Sequence, residues 1–233
     1  MTIHSATHLL TEERARTSGE GYEVFHAPRF AVLLGLCERH VSSPQARVLD
    51  IGRSPFSAML RGRYPRAETL GFPLPPGGDG SDMPHLVYDL NQAQDGVPLP
   101  AAEPFDLILL AEVIEHLYTA PELVLLVLRE ALAPGGILIC QTPNAGALHK
   151  RLKLLAGYNP YERLRLDRTN PGHFREYTRA ELAQVAQRAG LRVIEHRFAN
   201  YFGGGGLRDM VFDLLCRLVP GFSRGQTIVL ARD

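Results

Sequence analysis

The run Phe105-Asp106-Leu107-Ile108-Leu109-Leu110-Ala111 constrains this chain more than any other stretch. Apart from Asp106 it is apolar throughout. A strand made of it has both faces buried, the situation of a central strand in a parallel sheet covered by helices. Further candidate strands lie at Ala46–Ile51, Glu68–Phe72, His85–Tyr88, Ile137–Gln141, Leu191–Phe198 and Gln226–Ala231. Between several of them stand helix-length segments. Arg29–His40 spaces Phe30, Leu33, Leu34 and Cys37 helically. A second helix is expected to begin at Thr119, with Pro121 in its first turn and Glu122 placed for a capping box, and to end before Pro134-Gly135-Gly136. A third runs over Arg179–Arg188 and is closed by Gly190. Strands alternating with helices predict an α/β fold with a doubly wound parallel sheet.

At 233 residues, 45% hydrophobic and 21% charged, the chain suits one α/β core. Lys plus Arg equals Asp plus Glu at 25 each, so no net charge draws it to polyanions and nucleic acid is a disfavoured partner. Cys37, Cys140 and Cys216 form no CxxC pair, which argues against a disulfide framework or a thiolate zinc site and for a reducing, cytoplasmic setting. The first residues have no basic stretch followed by an apolar one, and no run approaches the ~18 apolar residues of a span. Neither secretion nor membrane spanning is expected. After Gly203 to Gly206, a helix places Leu207, Met210, Val211, Leu214, Leu215 and Leu218 on one stripe. The stripe reads as core or as a lid over a substrate pocket; docking on a membrane surface or a partner is the alternative. The chain is expected to be a single domain, residues 1–233, with an N-terminal helical segment or lid at 1–44, a core at 45–198, and a C-terminal helix and last strand at 199–233.

In order, Val48-Leu49-Asp50-Ile51-Gly52, Asp89-Leu90, the run from Phe105 through Ala111-Glu112-Val113-Ile114-Glu115-His116-Leu117, and Leu132-Ala133-Pro134-Gly135-Gly136 resemble the successive motifs of the class I, Rossmann-like S-adenosylmethionine-dependent methyltransferases. Gln141-Thr142-Pro143-Asn144 and His173-Phe174-Arg175-Glu176-Tyr177-Thr178 extend the likeness. The resemblance implies a seven-stranded, mostly parallel sheet with helices on both faces and an antiparallel last strand. It also implies S-adenosyl-L-methionine as cofactor and a small-molecule methyl acceptor. Its cofactor residues would be Asp50, Gly52, Arg53, Ser54, Gly71, Phe72, Asp89, Leu90, Ala111 and Glu112. Physically, ligands of open α/β sheets settle beyond the strands' carboxyl ends, where the topology reverses. There Gly52 lets the backbone approach closely, and the following helix start offers N–H groups to a carboxylate. By resemblance, this loop holds the methionine part of the cofactor and Asp89 accepts a hydrogen bond from the adenine amino group; as a residue, Asp89 also suits a turn or helix cap.

The chain departs from the family's pattern twice. Gly52-Arg53-Ser54-Pro55-Phe56 replaces the glycine-rich loop, and Ser54 before Pro55 makes a good N-cap and first-turn pair. Gly71-Phe72-Pro73 leaves no acid to grip the ribose, a role open to Asp79 or Asp82. Glu112, Glu115 and His116 would share one side of a helical turn after the fourth strand. Two chemistries follow. In the first, which needs no metal, His116 or His173 is the base that takes a proton from the acceptor. In the second, Glu112, Glu115, His116 and His173 hold a divalent metal, an arrangement resembling the small-RNA 2′-O-methyltransferases. As ordinary residues, Glu115 could instead be an exposed helix charge, His116 a partly buried ring bonded to a carbonyl, and His173 a surface histidine. The leading expectation is O-methylation of a small metabolite or lipid- or sugar-type acceptor, its pocket formed by the N-terminal segment and residues 146–169. The alternatives are a metal-dependent RNA 2′-O-methyltransferase, using the local basic stretch Lys150, Arg151, Lys153, Arg163, Arg165 and Arg168, and a non-catalytic ligand-sensing or partner module on the same fold.

Overall fold

A computed structural model describes residues 20–75, 82–167, 170–201 and 206–233. Asp79, Arg168, residues 203–205 and the first 19 residues of the N-terminal segment lie outside them. The strands are β1 Arg47–Ile51, β2 Arg66–Gly71, β3 His85–Val87, β4 Phe105–Ala111, β5 Leu132–Pro143, β6 Arg192–Ala199 and β7 Gly225–Ala231. They form one seven-stranded sheet in the order β3-β2-β1-β4-β5-β7-β6. The β1 to β5 pairings are parallel, and β7 runs antiparallel to both β5 and β6. From β1 the chain winds outward through β2 and β3, then returns to β4 on the other side. The reversal therefore lies between β1 and β4, and the crevice beyond their carboxyl ends is where such a sheet takes a ligand.

Both faces of the sheet are covered. The helices are α1 Glu20–His40, α2 Pro55–Arg63, α3 Pro121–Ala131, α4 Leu148–Leu155, α5 Arg179–Arg188 and α6 Leu207–Leu218. On one face Leu33, Leu36 and Cys37 of α1 and Phe56 and Leu60 of α2 pack on Val48, Leu107 and Leu109. On the other, Val124 and Leu128 of α3 and Leu182 and Val185 of α5 pack on Leu49, Ile108 and Leu110. Successive β4 residues thus serve opposite cores, which is why the run is continuously apolar.

Four elements differ from the sequence reading. α1 begins at Glu20 and runs through Pro28, whose missing N–H removes one ladder bond without ending the helix. α3 has Ala120 as its N-cap and no side-chain cap bond. Thr119 is unavailable because its hydroxyl donates to the Asn91 carbonyl at 2.9 Å, while Glu122 pairs with Arg188 at 3.1 Å; tertiary bonds override the capping box. β5 starts at Leu132 and absorbs Pro134-Gly135-Gly136 as an irregularity, the β4 register passing from Phe105↔Leu132 to Leu107↔Ile137. A Cβ on Gly136 would stand 2.8 Å from the Ala133 carbonyl and 3.0 Å from that of Phe105, so only glycine fits this fold of the strand. The stripe of α6 is neither core nor a covered lid: Met210, Val211, Leu214, Leu215 and Leu218 are exposed, and the helix sits on the protein through Phe212, Asp213 and Cys216. Among the described residues no helix is long and apolar enough to cross a membrane.

Candidate active site

The loop leaving β1 is built by three residues. Gly52 adopts φ +85°, a conformation other residues reach only with strain, and an added Cβ would lie 3.3 Å from Cγ2 of Val113. Ser54 caps α2: its hydroxyl accepts from the Phe56 N–H, and the Ser57 hydroxyl accepts from the Ser54 N–H at 3.0 Å. The altered glycine loop is therefore a tightly capped helix start. Buried Asp50 accepts a 2.6 Å hydrogen bond from the Ser57 hydroxyl and so ties the turn to the sheet. Burial raises its carboxyl to about 7 despite that bond.

Beyond β1 and β4 lies a groove of two compartments that share Gly52, Arg53 and Val113. The first, about 190 Å³, is lined by Arg29, Asp50, Ser54, Ala111 and Glu112. The second, about 210 Å³ and more apolar, is lined by Gly71, Phe72, His85, Tyr88, Asp89 and Leu90. Together they reach the size of a small-molecule site, roughly 300–1,000 Å³. Every residue assigned above to cofactor binding lines one of them. Asp89 also caps the 3₁₀ turn at Leu90–Asp95, accepting from the Asn91 N–H at 2.9 Å. Asp82 lines, with Ser57, Ala58 and Arg61, a cavity that shares Arg53 and Ser54 with the first compartment. The second compartment carries His85 beside Gly71 and Phe72. There the His85 ring bridges the Thr69 hydroxyl and the Phe72 carbonyl, both at 2.9 Å.

Next to the groove is a buried polar cluster. Glu112 has φ +57°, the one described non-glycine residue with positive φ. It is followed by a 3₁₀ turn, Ile114–His116, rather than an α-helical one. Glu115 is wholly buried, not an exposed helix charge; one of its oxygens accepts from the Thr142 hydroxyl at 2.9 Å and the other has no hydrogen-bond partner. The Nδ1 of His116 is 3.0 Å from the Gly172 carbonyl, and that of His173 is 3.2 Å from the Glu176 carboxylate. Both acceptors place the proton on Nδ1 and leave the Nε2 lone pairs free. The two rings meet edge to face, 4.8 Å between centroids. Lys150 bonds Glu176, and Arg29 stands 3.9 Å from Glu112. Three carboxyl groups, Glu112, Glu115 and Glu176, thus share two cations, Arg29 and Lys150.

Burial dominates the protonation states here. Burial, then the Glu112 charge, pushes the Glu115 carboxyl up to about 8, and burial raises Glu112 against the pull of Arg29 and Lys150. Burial lowers His116, and burial together with His116 lowers His173 to about 4, so both imidazoles are neutral near pH 7. Between about 4.5 and 8 the folded chain holds a proton on Glu115 that the unfolded chain has lost, so this group's stabilisation, full below 4.5, disappears as pH rises through 8. A Glu115→Gln variant escapes this loss. It is expected to match the parent near pH 5 and to exceed it by about 3 kcal/mol at pH 8. Denaturant unfolding at both pH values measures this, and an advantage that shrinks with rising pH contradicts the assignment.

Sequence reasoning gave Arg29 and Glu176 no role in this cluster and read Lys150 only as part of a basic stretch. Arg29 is buried with an unpartnered Nε, on the same stripe of α1 as Leu33 and Leu36; a lone charge on an apolar stripe was the available signal. A larger cavity of about 520 Å³, lined by Leu99, Leu123, Leu126 and Val127, reaches Pro104 and Ala131 at the amino ends of β4 and β5. It lies at the opposite, amino-terminal end of the strands from the groove.

A family model described as a methyltransferase domain matches residues 9–196. Against curated protein sequences the chain finds no significant match. The fold is similar to that of the Burkholderia thailandensis 1,6-didemethyltoxoflavin-N1-methyltransferase, solved with 1,6-didemethyltoxoflavin and S-adenosylhomocysteine: 15% identity, 100% of this chain and 91% of that one, TM-score 0.59. It is similar also to the N-methyltransferase NodS of Bradyrhizobium japonicum WM9 with S-adenosyl-L-homocysteine, at 16% identity, 96% and 97% coverage and TM-score 0.57. A third likeness is to the magnesium protoporphyrin IX methyltransferase of Synechocystis PCC 6803, at 13% identity, 97% and 95% coverage and TM-score 0.57.

Proposed function

Since the chain belongs to the methyltransferase-domain family, within the class I, Rossmann-like S-adenosylmethionine-dependent architecture, we propose that it methylates an oxygen of a small-molecule acceptor of lipid or sugar type. The observation that carries this reading is the two-compartment groove beside a cluster of neutral imidazoles. The cofactor fits: the orphaned Nε of buried Arg29 awaits an acceptor, and the Gly52 backbone leaves room that a Cβ would fill. Arg29 would take the methionine carboxylate and Glu112 the ammonium group, with the capped start of α2 behind them. Phe72, Tyr88 and Leu90 would enclose the adenine, and Asp89 would accept from its amino group. When bound, S-adenosylmethionine supplies an electrophilic methyl on a cationic sulfonium.

His116 takes the acceptor's proton at Nε2, its ring held by Gly172; His173, held by Glu176, positions the acceptor. Residues 45–198 serve as the cofactor core, 1–44 and 199–233 as its flanks, and the buried, unpaired Cys37, Cys140 and Cys216 suit a reducing cytoplasm. Calorimetric titration with S-adenosylmethionine followed by a radiolabelled methyl-transfer screen tests the reading. Binding is expected, weakened roughly tenfold or more in Arg29→Met, which removes a charge-assisted pair. A folded protein that does not bind the cofactor would instead be a non-catalytic module.

One observation favours a second reading: ligand atoms of Glu115, His116 and His173 lie within 4.8 Å of one another, and each imidazole has the Nδ1 partner that metal-bound histidines have. The cations of Lys150 and Arg29 beside the carboxylates weigh against a dication there. Chelation and dialysis are therefore expected to leave methyl transfer unchanged. Stoichiometric retained metal, with activity lost on chelation and restored by Mg²⁺ or Mn²⁺, moves the assignment to the metal-dependent enzyme.

A further inference from the structure

Two exposed apolar surfaces of the described residues are joined by one turn. Along α4 and the segment after it, Leu152, Leu154, Leu155, Tyr158, Leu164 and Leu166 stand out to solvent, Leu155 at 85% and Leu166 at 81% exposure. On α6, Met210, Val211, Leu214 and Leu218 form an outward stripe. Both elements meet the turn Pro220–Phe222: the Arg151 guanidinium lies over the Phe222 ring at 5.5 Å, and α6 runs directly into the turn. An amphipathic helix with its apolar side outward is not serving its own core.

The charges show what covers this surface. Arg151, Lys153, Arg163, Arg208 and Arg217 are exposed around the apolar side chains. The acids of the same elements are paired: Asp213 accepts from Asn200 at 2.9 Å, Asp209 lies 3.9 Å from Arg224, and Glu162 is held by Arg165 of the same segment at 2.7 Å. In a chain of zero net charge, this one face is cationic and apolar together. That combination suits the headgroup boundary of an anionic bilayer, where apolar side chains enter the acyl layer and cations meet phosphates. It does not suit RNA, which offers little to exposed leucines.

The surface is rooted in the candidate site. The Arg165 N–H donates to the Pro171 carbonyl at 2.8 Å, next to the Gly172 whose carbonyl holds His116. Lys150, which bonds Glu176, lies under the Tyr161 ring. We propose that α4, residues 158–166 and α6 dock this protein on the surface of anionic membranes, bringing the His116–His173 mouth to the bilayer so that the acceptor is an amphiphile drawn from it. The docking stands on the surface alone; the class of acceptor rests on the methyl-transfer reading.

Flotation with phosphatidylcholine vesicles, with and without phosphatidylglycerol, tests the docking in the absence of any acceptor. The parent is expected to float only with the anionic vesicles and to be released at high salt. Lys153→Glu with Arg163→Glu should weaken binding about 25-fold or more, and Leu155→Glu or Leu214→Glu roughly tenfold or more. Leu126→Glu, an exposed apolar position on α3, should leave it unchanged, with all variants folded by circular dichroism. Absence of flotation at low salt overturns the proposal, as does binding that the leucine variants do not reduce. A dimer that Leu214→Glu dissociates overturns it too, because a second copy would then cover the face; and retention of labelled RNA lost with the charge reversals would make RNA the occupant. Flotation without methyl transfer keeps the docking and removes the enzymatic reading.

Discussion

A Gly52→Val variant is expected to bind S-adenosylmethionine at least about 100-fold more weakly than the parent while remaining folded. Gly52 sits at φ +85° on the floor that joins the two compartments of the groove. A β-branched residue at this φ is strained by about 1–3 kcal/mol. It also forces its Cβ to 3.3 Å from the Val113 side chain, with two further methyls directed into what remains. Either the loop keeps its path and the methyls occupy the groove, or it relaxes and withdraws its N–H groups. Both outcomes cost affinity, and 100-fold corresponds to about 2.7 kcal/mol. Stability should survive, because a domain typically has 5–15 kcal/mol in hand. Gly52→Ala should fall between the two proteins, and adding Val113→Ala to it should recover part of the loss. Calorimetry showing parental affinity in a folded Gly52→Val protein would remove the groove as the cofactor site.

His116→Ala is expected to lower the methyl-transfer rate by roughly 10²-fold or more with cofactor affinity nearly unchanged, since a positioned base acts on the chemical step. The Gly172 carbonyl fixes the proton on Nδ1, and burial keeps the ring neutral near pH 7, so Nε2 can accept without first losing a proton. The acid limb of the parent's pH–rate profile should accordingly disappear in the variant. His173→Ala should mainly raise the KM for acceptor. Equal turnover in parent and His116→Ala, with methyl transfer shown to be rate-limiting, would make His116 a structural residue and proximity the source of catalysis.

The sheet could be read from residues because parallel strands buried on both sides appear as apolar runs, and β4 was bounded correctly at both ends. Helix limits were harder, since they depend on partners distant in sequence: Thr119 looked like a cap until Asn91 claimed its hydroxyl, and Pro28 hid the first turns of α1. The groove was legible for the same reason as the sheet, its lining coming from strand ends. The charges that complete the site were not, because Arg29, Lys150 and Glu176 come from three separate elements and only packing brings them together. The stripe of α6 was recognised but assigned inward. Periodicity shows that a helix has two sides and is silent on which side meets the protein.

Glu112 has a consequence for anyone selecting a hardier form of this protein. Its backbone is left-handed at φ +57°, where a side chain is a handicap and glycine is at ease. Its carboxylate also repels that of Glu115 and holds the neighbouring proton in place. A screen for heat tolerance should therefore find Glu112→Gly early, relieving the backbone by about 1 kcal/mol together with part of that repulsion. The survivors would lose the carboxylate that stands 3.9 Å from Arg29 in the first compartment. Heat tolerance and methyl transfer are expected to diverge at this single codon, and a library scored on one property would discard what the other requires.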